Sequence, residues 1–100
     1  MCTSIVEIVT AEGMAKAADG WFDVTHAVVA YDHARHAFLP DAITLDFVSS
    51  IRSADDRAAV ELSLTSAKAL HAALGKAIAE AEAEEAERAA HLGSLKMAAE

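Results

Sequence analysis

The stretch AVELSLTSAKALHAALGKAIAEA, residues 59–81, changes from the repeat of a strand to the repeat of a helix. Apolar and polar residues alternate over residues 59–64, which predicts a strand with one apolar face. From residue 67 onward, large apolar side chains such as Leu70 and Leu74 recur every three or four positions, the spacing of one helix face. The chain is therefore expected to end a sheet and begin a helix near residue 65.

The predicted helix spans residues 66–91, with Thr65 or Ser66 as its N-cap. Gly93 is the expected C-cap, because glycine readily adopts the backbone conformation that ends a helix. After residue 81 the apolar stripe holds only alanine, so the helix is expected to outrun the sheet. Residues 94–100 are expected to be a frayed tail.

Three further strands are expected upstream of residue 59. Residues 2–10 and 24–31 are rich in β-branched side chains, and residues 43–48 alternate between apolar and polar. Short connections favour a meander. The predicted fold class is α+β: a four-stranded antiparallel sheet followed by one long C-terminal helix packed on one face. Residues 1–93 are expected to form a single domain.

Composition excludes several classes of protein. The net charge is −8, and a protein that binds the nucleic-acid backbone or an anionic membrane surface needs a basic patch. The single cysteine excludes an internal disulfide. No signal peptide is recognisable, and no segment has the length of apolar sequence that a membrane span needs. The sequence therefore predicts a cytoplasmic protein.

The first two strands carry apolar residues on both faces, such as Ile5 beside Val6 and Val28 beside Val29. Strands of this kind are buried on both sides. One helix covers only one face of a sheet, so the other face needs a different cover. We expect either a homodimer or a pocket for a small-molecule ligand there.

One candidate site lies in the segment YDHARH, residues 31–36. An antiparallel hairpin of the first two strands would place Cys2 opposite residue 30 or 31, beside Asp32, His33 and His36. Thiolate and imidazole are ligands of zinc, and they also suit copper and iron. These four residues are the predicted metal site. His26 lies seven residues before His33, too far along an extended strand to share it.

Simpler explanations account for the same residues. A short Asp-His-x-x-His loop is common by chance, and strong zinc patterns have two ligand pairs. A lone cysteine such as Cys2 is more often a small buried apolar residue than a metal ligand. Trp21 and Phe22 are expected to plug the core at the start of the second strand.

Several motifs together resemble one protein family. They are the Met-Cys-Thr start, the Gly-Trp-Phe stretch at residues 20–22 and the Asp-His-x-x-His-Ala loop at residues 32–37. The chain is similar over about residues 1–80 to small actinobacterial proteins that share a domain of unknown function. The resemblance implies no activity that can be transferred to these residues.

Two functions remain open from the sequence. The first is a small metal-binding protein, with an open coordination position that would allow chemistry on a metabolite. The alternative is a homodimeric binding or accessory protein without catalysis, in which the histidines are structural loop residues. The sequence identifies no catalytic residue and does not decide whether the protein is an enzyme.

Overall fold

Four antiparallel strands form one sheet in chain order, and a long helix follows them. The computed structural model describes the backbone of residues 4–51 and 57–99, and the side chains as far as residue 93. The elements are β1 (Val6–Ala17), β2 (Gly20–His33), β3 (Asp41–Val48), β4 (Arg57–Leu62) and α1 (Leu64–Ala99). The predicted α+β class, with a four-stranded meander before one long helix, is confirmed.

The chain divides into two units, residues 1–67 and residues 68–100. The first unit holds the sheet and the first turn of α1, and the second holds the rest of α1. The predicted single domain over residues 1–93 stays a prediction, and so does the packing of the helix on one sheet face.

The first hairpin is longer than predicted. The sequence predicts that the first strand ends at residue 10 and the second begins at residue 24, but β1 continues to Ala17 through an irregularity between Thr10 and Gly13. A bulge lets a strand absorb an extra residue without ending. The turn lies just before Gly20, whose φ of 121° favours glycine.

The register of this hairpin also differs from the expectation. Val6 is opposite Ala30, and the backbone N–H of Tyr31 donates to the Ile5 carbonyl at 3.1 Å. The predicted placement of Cys2 opposite residue 30 or 31 is therefore wrong, because Val6 and Ile5 occupy those positions. Cys2 itself lies outside the described residues.

The remaining strand pairs assign the two faces of the sheet. Ala30, Thr44 and Glu61 form one row across β2, β3 and β4, and we call the side that carries them the polar face. Leu45 and Val60 pair on the opposite side, as the alternation over residues 43–48 and 59–64 predicts.

Few described side chains are fully buried in the sheet. Phe22 is 2% exposed and Ala42 is 1% exposed, and they are joined by Val24 and Ala27. Phe22 therefore plugs the core as expected. The same expectation is wrong for Trp21, which is 63% exposed because neighbouring strand residues face opposite sides.

The helix begins and ends at different residues from those predicted. The Ser63 hydroxyl accepts the backbone N–H of Ser66 at 3.1 Å, so Ser63 is the N-cap. At the other end α1 continues through Gly93 to Ala99, into the predicted tail. Its large apolar side chains up to Leu92 are about half exposed. Over the described residues, no helix combines the length and apolar character needed to cross a membrane.

Candidate functional site

One carboxylate on β4 fixes the loop between β2 and β3. Three consecutive backbone N–H groups of this loop donate to Glu61. Arg35 reaches Oε2 at 2.6 Å, while His36 and Ala37 reach Oε1 at 2.8 and 2.9 Å. Hydrogen bonds to an ionised acceptor are stronger than neutral ones, so this contact holds the loop firmly.

The position of Glu61 follows from strand alternation. It pairs with Thr44 of β3 on the polar face, and its side chain is 17% exposed. The N–H groups of Arg35 and Ala37 are the main causes that lower its pKa from the ordinary value of 4.5. Those bonds favour the charged form. Glu61 is therefore an anion at neutral pH, and both of its carboxylate oxygens already accept hydrogen bonds from the loop.

The two loop histidines lie beside different carboxylates. His33 ends β2 opposite Asp41, and its Nδ1 is 3.3 Å from Oδ1 of that residue and 3.5 Å from the carbonyl of Pro40. The Nδ1 of His36 is 3.6 Å from Oε1 of Glu61. Each imidazole is thus directed by its own carboxylate.

An open cavity of about 630 Å³ lies over the polar face and the loop. Its volume is that of a small-molecule site. Its charged and polar lining residues include Asp32, His33, Arg35, His36, Thr44, Asp46, Arg57 and Glu61. Alanines at positions 30, 37 and 59 also line it, and their small side chains leave the space open.

The structure brings three of the four predicted site residues to this cavity. Asp32, His33 and His36 all line it, and Oδ1 of Asp32 accepts the backbone N–H of His33 at 2.7 Å. The fourth, Cys2, lies outside the described residues. Within those residues, no three side chains of His, Cys, Asp or Glu are grouped so that they could hold a metal ion. Metal binding by this set stays a prediction.

His26 lies where the sequence reasoning expected it. It pairs with Val48 at the end of the β2–β3 ladder away from His33, and its Nδ1 is 2.9 Å from Oγ1 of Thr25. It is not among the residues that line the cavity.

Sequence reasoning missed the residues that build the cavity wall. The alternation predicts that Asp46 and Glu61 lie on the polar side of their strands, whereas Arg57 precedes the predicted strand and has no predicted role. What the sequence does not reveal is that these three residues lie close together on one face of the sheet. Asp46 is the diagonal neighbour of both Arg57 and Glu61 on one face, which only the strand register reveals.

Comparison with known proteins gives one match. A family model described as "Family of unknown function (DUF6295)" matches residues 1–87. It confirms the resemblance to a domain of unknown function. No curated protein and no solved structure matches the chain.

Proposed function

We propose that this chain, which belongs to that family of unknown function, is a homodimeric binding protein that holds a small zwitterion in the cavity of the polar face. The ligand class is one that carries an ammonium and a carboxylate close together, as an α-amino acid does. The observation that carries the proposal is the presence of both charge signs on one cavity wall.

Asp46 on β3 and Arg57 on β4 provide these charges. They are diagonal neighbours on the same face, a relationship that places Cα atoms about 7–8 Å apart. Within residues 4–51 and 57–93, neither side chain is in an ion pair. A bound zwitterion would satisfy both, with its carboxylate toward Arg57 and its ammonium toward Asp46.

The state of Glu61 favours binding over catalysis. A general acid or base works best with a pKa near the operating pH. The loop N–H groups lower the pKa of Glu61, which moves it further from neutral pH. This carboxylate therefore shapes the cavity and leaves ligand recognition to the other side chains.

Calorimetric titration and thermal unfolding with the free amino acids at millimolar concentration test the proposal. At least one should bind the parent and raise its Tm. Arg57→Gln and Asp46→Asn should each abolish that effect. Arg88→Gln on α1 and Asp23→Asn on β2, which lie outside the cavity lining, should retain it. The proposal is rejected if no amino acid binds, or if the cavity variants bind like the controls.

The homodimer part of the proposal is supported by the sheet. Val6, Ile8 and Val9 on the edge strand β1 are 50%, 65% and 52% exposed. An exposed apolar edge strand promotes pairing with another chain. Light scattering at micromolar concentration should give twice the chain mass of 10.5 kDa, and a clean monomer mass would reject a dimer.

A transition metal at the same cavity is the second candidate function. It is favoured by the carboxylate beside Nδ1 of each loop histidine, because metal-bound histidines are commonly oriented by such a partner. Zinc, copper and iron suit the imidazoles of His33 and His36, and Asp32 would be a further ligand or would orient them.

Competitive zinc titration tests this second candidate. His33→Ala and His36→Ala should abolish binding, whereas His26→Ala should not. Affinity should fall below about pH 6.5, because imidazole binds metal only when neutral. If the two loop variants titrate like the parent, the histidines are structural.

A further inference from the structure

The polar-face cavity contains a second guanidinium that the proposed zwitterion does not use. Arg35, in the β2–β3 loop, lines this cavity together with Arg57. In the part of the chain that the structure describes, neither guanidinium is in an ion pair. Guanidinium groups suit carboxylates, which they bind through two parallel hydrogen bonds. A ligand whose first carboxylate binds Arg57 therefore leaves Arg35 available for a second one.

The strand register sets the order of the charges along the cavity. Arg57 lies four residues before Glu61 on the same face of β4, a distance of roughly 13 Å. Asp46 is opposite Ala59, midway between these two positions. Arg35 lies at the Glu61 end, because its backbone N–H donates to Oε2 of Glu61 at 2.6 Å. The free charges along the wall are therefore positive, negative and positive, in that order.

From this order we infer that the cavity selects an α-amino acid whose side chain carries a second carboxylate, as in aspartate and glutamate. The α-carboxylate binds Arg57, the ammonium binds Asp46, and the side-chain carboxylate binds Arg35. The inference rests on the zwitterion part of the proposed function and names the class of amino acid. It adds Arg35 as the residue that determines specificity.

The other carboxylates among the described lining residues are already hydrogen-bonded to the backbone. Glu61 accepts three loop N–H groups, and Oδ1 of Asp32 accepts the N–H of His33 at 2.7 Å. Such bonds stabilise the charge of each carboxylate within the protein. Asp46 accepts no hydrogen bond of this kind among the described residues, so it is the carboxylate best suited to a ligand ammonium.

The way in which Arg35 is anchored suits a recognition residue. The bond to Glu61 comes from the backbone of Arg35, and the N–H groups of His36 and Ala37 reinforce it. The backbone beneath the guanidinium is thus fixed before a ligand binds, which lowers the entropic cost of binding. Replacing the Arg35 side chain also leaves the anchoring bond in place, so its role in recognition can be tested without releasing the loop.

Calorimetric titration of the full-length chain with two isosteric pairs tests the inference: glutamate with glutamine, and aspartate with asparagine. The parent should bind at least one of the acids about tenfold more tightly than its amide. Arg35→Gln should reduce that preference to about one, and Arg35→Lys should restore part of it. Arg88→Gln on α1 changes the net charge equally but lies outside the cavity lining, so it should keep the preference.

The outcomes separate this inference from the proposed function. A parent that binds no amino acid overturns both. A parent that binds amino acids but prefers the amides, or prefers lysine, overturns only the selection of an acidic side chain. A preference for the acid that survives in Arg35→Gln overturns the role of Arg35. Thermal unfolding of Arg35→Gln should give the Tm of the parent, because the backbone bond to Glu61 is retained.

Discussion

The backbone N–H of His36 donates to Oε1 of Glu61 at 2.8 Å, although 25 positions separate the two residues in sequence. This bond and its two neighbours connect the β2–β3 loop to β4, a strand to which the loop is not joined along the chain. The loop side of the cavity, which includes Arg35, His36 and Ala37, is therefore held by one carboxylate.

Glu61→Ala should loosen the loop. Its three N–H groups lose their acceptor, and unpaired amides open to solvent more often. Hydrogen exchange at Arg35, His36 and Ala37 should become much faster, while exchange in the β2–β3 ladder changes little. Glu84→Ala on α1 is the matched control. Unchanged exchange in the loop would mean that contacts other than Glu61 hold it.

The same contact predicts a specific acid response. The folded-state pKa of Glu61 is lower than its ordinary value of 4.5, so the unfolded state binds more protons in the window between the two values. Stability from this group is complete above about pH 4.5 and is lost as the pH falls through the folded-state pKa. Urea unfolding from pH 3 to 6 should show this loss in the parent.

The control for the acid response is Glu61→Gln, which does not titrate. Its acid limb should be flatter than that of the parent, whereas Glu84→Gln should leave the limb unchanged. Equal slopes in parent and Glu61→Gln would show that other carboxylates control acid unfolding.

The adjacent aromatic residues Trp21 and Phe22 should respond very differently to truncation. Phe22 is 2% exposed, and replacing a buried phenylalanine by alanine costs about 3–5 kcal/mol. Trp21 is 63% exposed, so Trp21→Ala should cost much less. Denaturant unfolding of both variants measures the difference. Similar losses would indicate that Trp21 is covered in solution, as in a dimer.

The sequence predicted those parts of the fold in which local pattern and tertiary structure agree. Alternation over residues 43–48 and the change of period near residue 65 predicted β3, β4 and the helix. Residues 11–20 were not predicted to be strand, because glycine and alanine have low strand propensity. In the structure, pairing between β1 and β2 outweighs that low propensity. The N-cap was predicted two or three residues too late, because Ser63 was assigned to the preceding strand.

The candidate site was only partly predictable, for a physical reason. His33 and His36 were noticed because they are close in sequence. Glu61 was not, because its partners are backbone N–H groups, which every loop residue carries and no sequence motif marks. Such a contact becomes visible only when the strand register is known.

The last prediction concerns the distal half of α1. Residues 82–93 are exposed and consist mostly of alanine and glutamate. Their removal therefore eliminates little buried apolar surface. Truncation after Ala81 should therefore lower the free energy of unfolding of a monomer by less than about 1 kcal/mol. Urea unfolding of full-length and truncated chains at several protein concentrations measures this. A loss of several kcal/mol that grows with concentration would show that the distal helix packs on a second chain. It would then be part of the dimer interface together with β1.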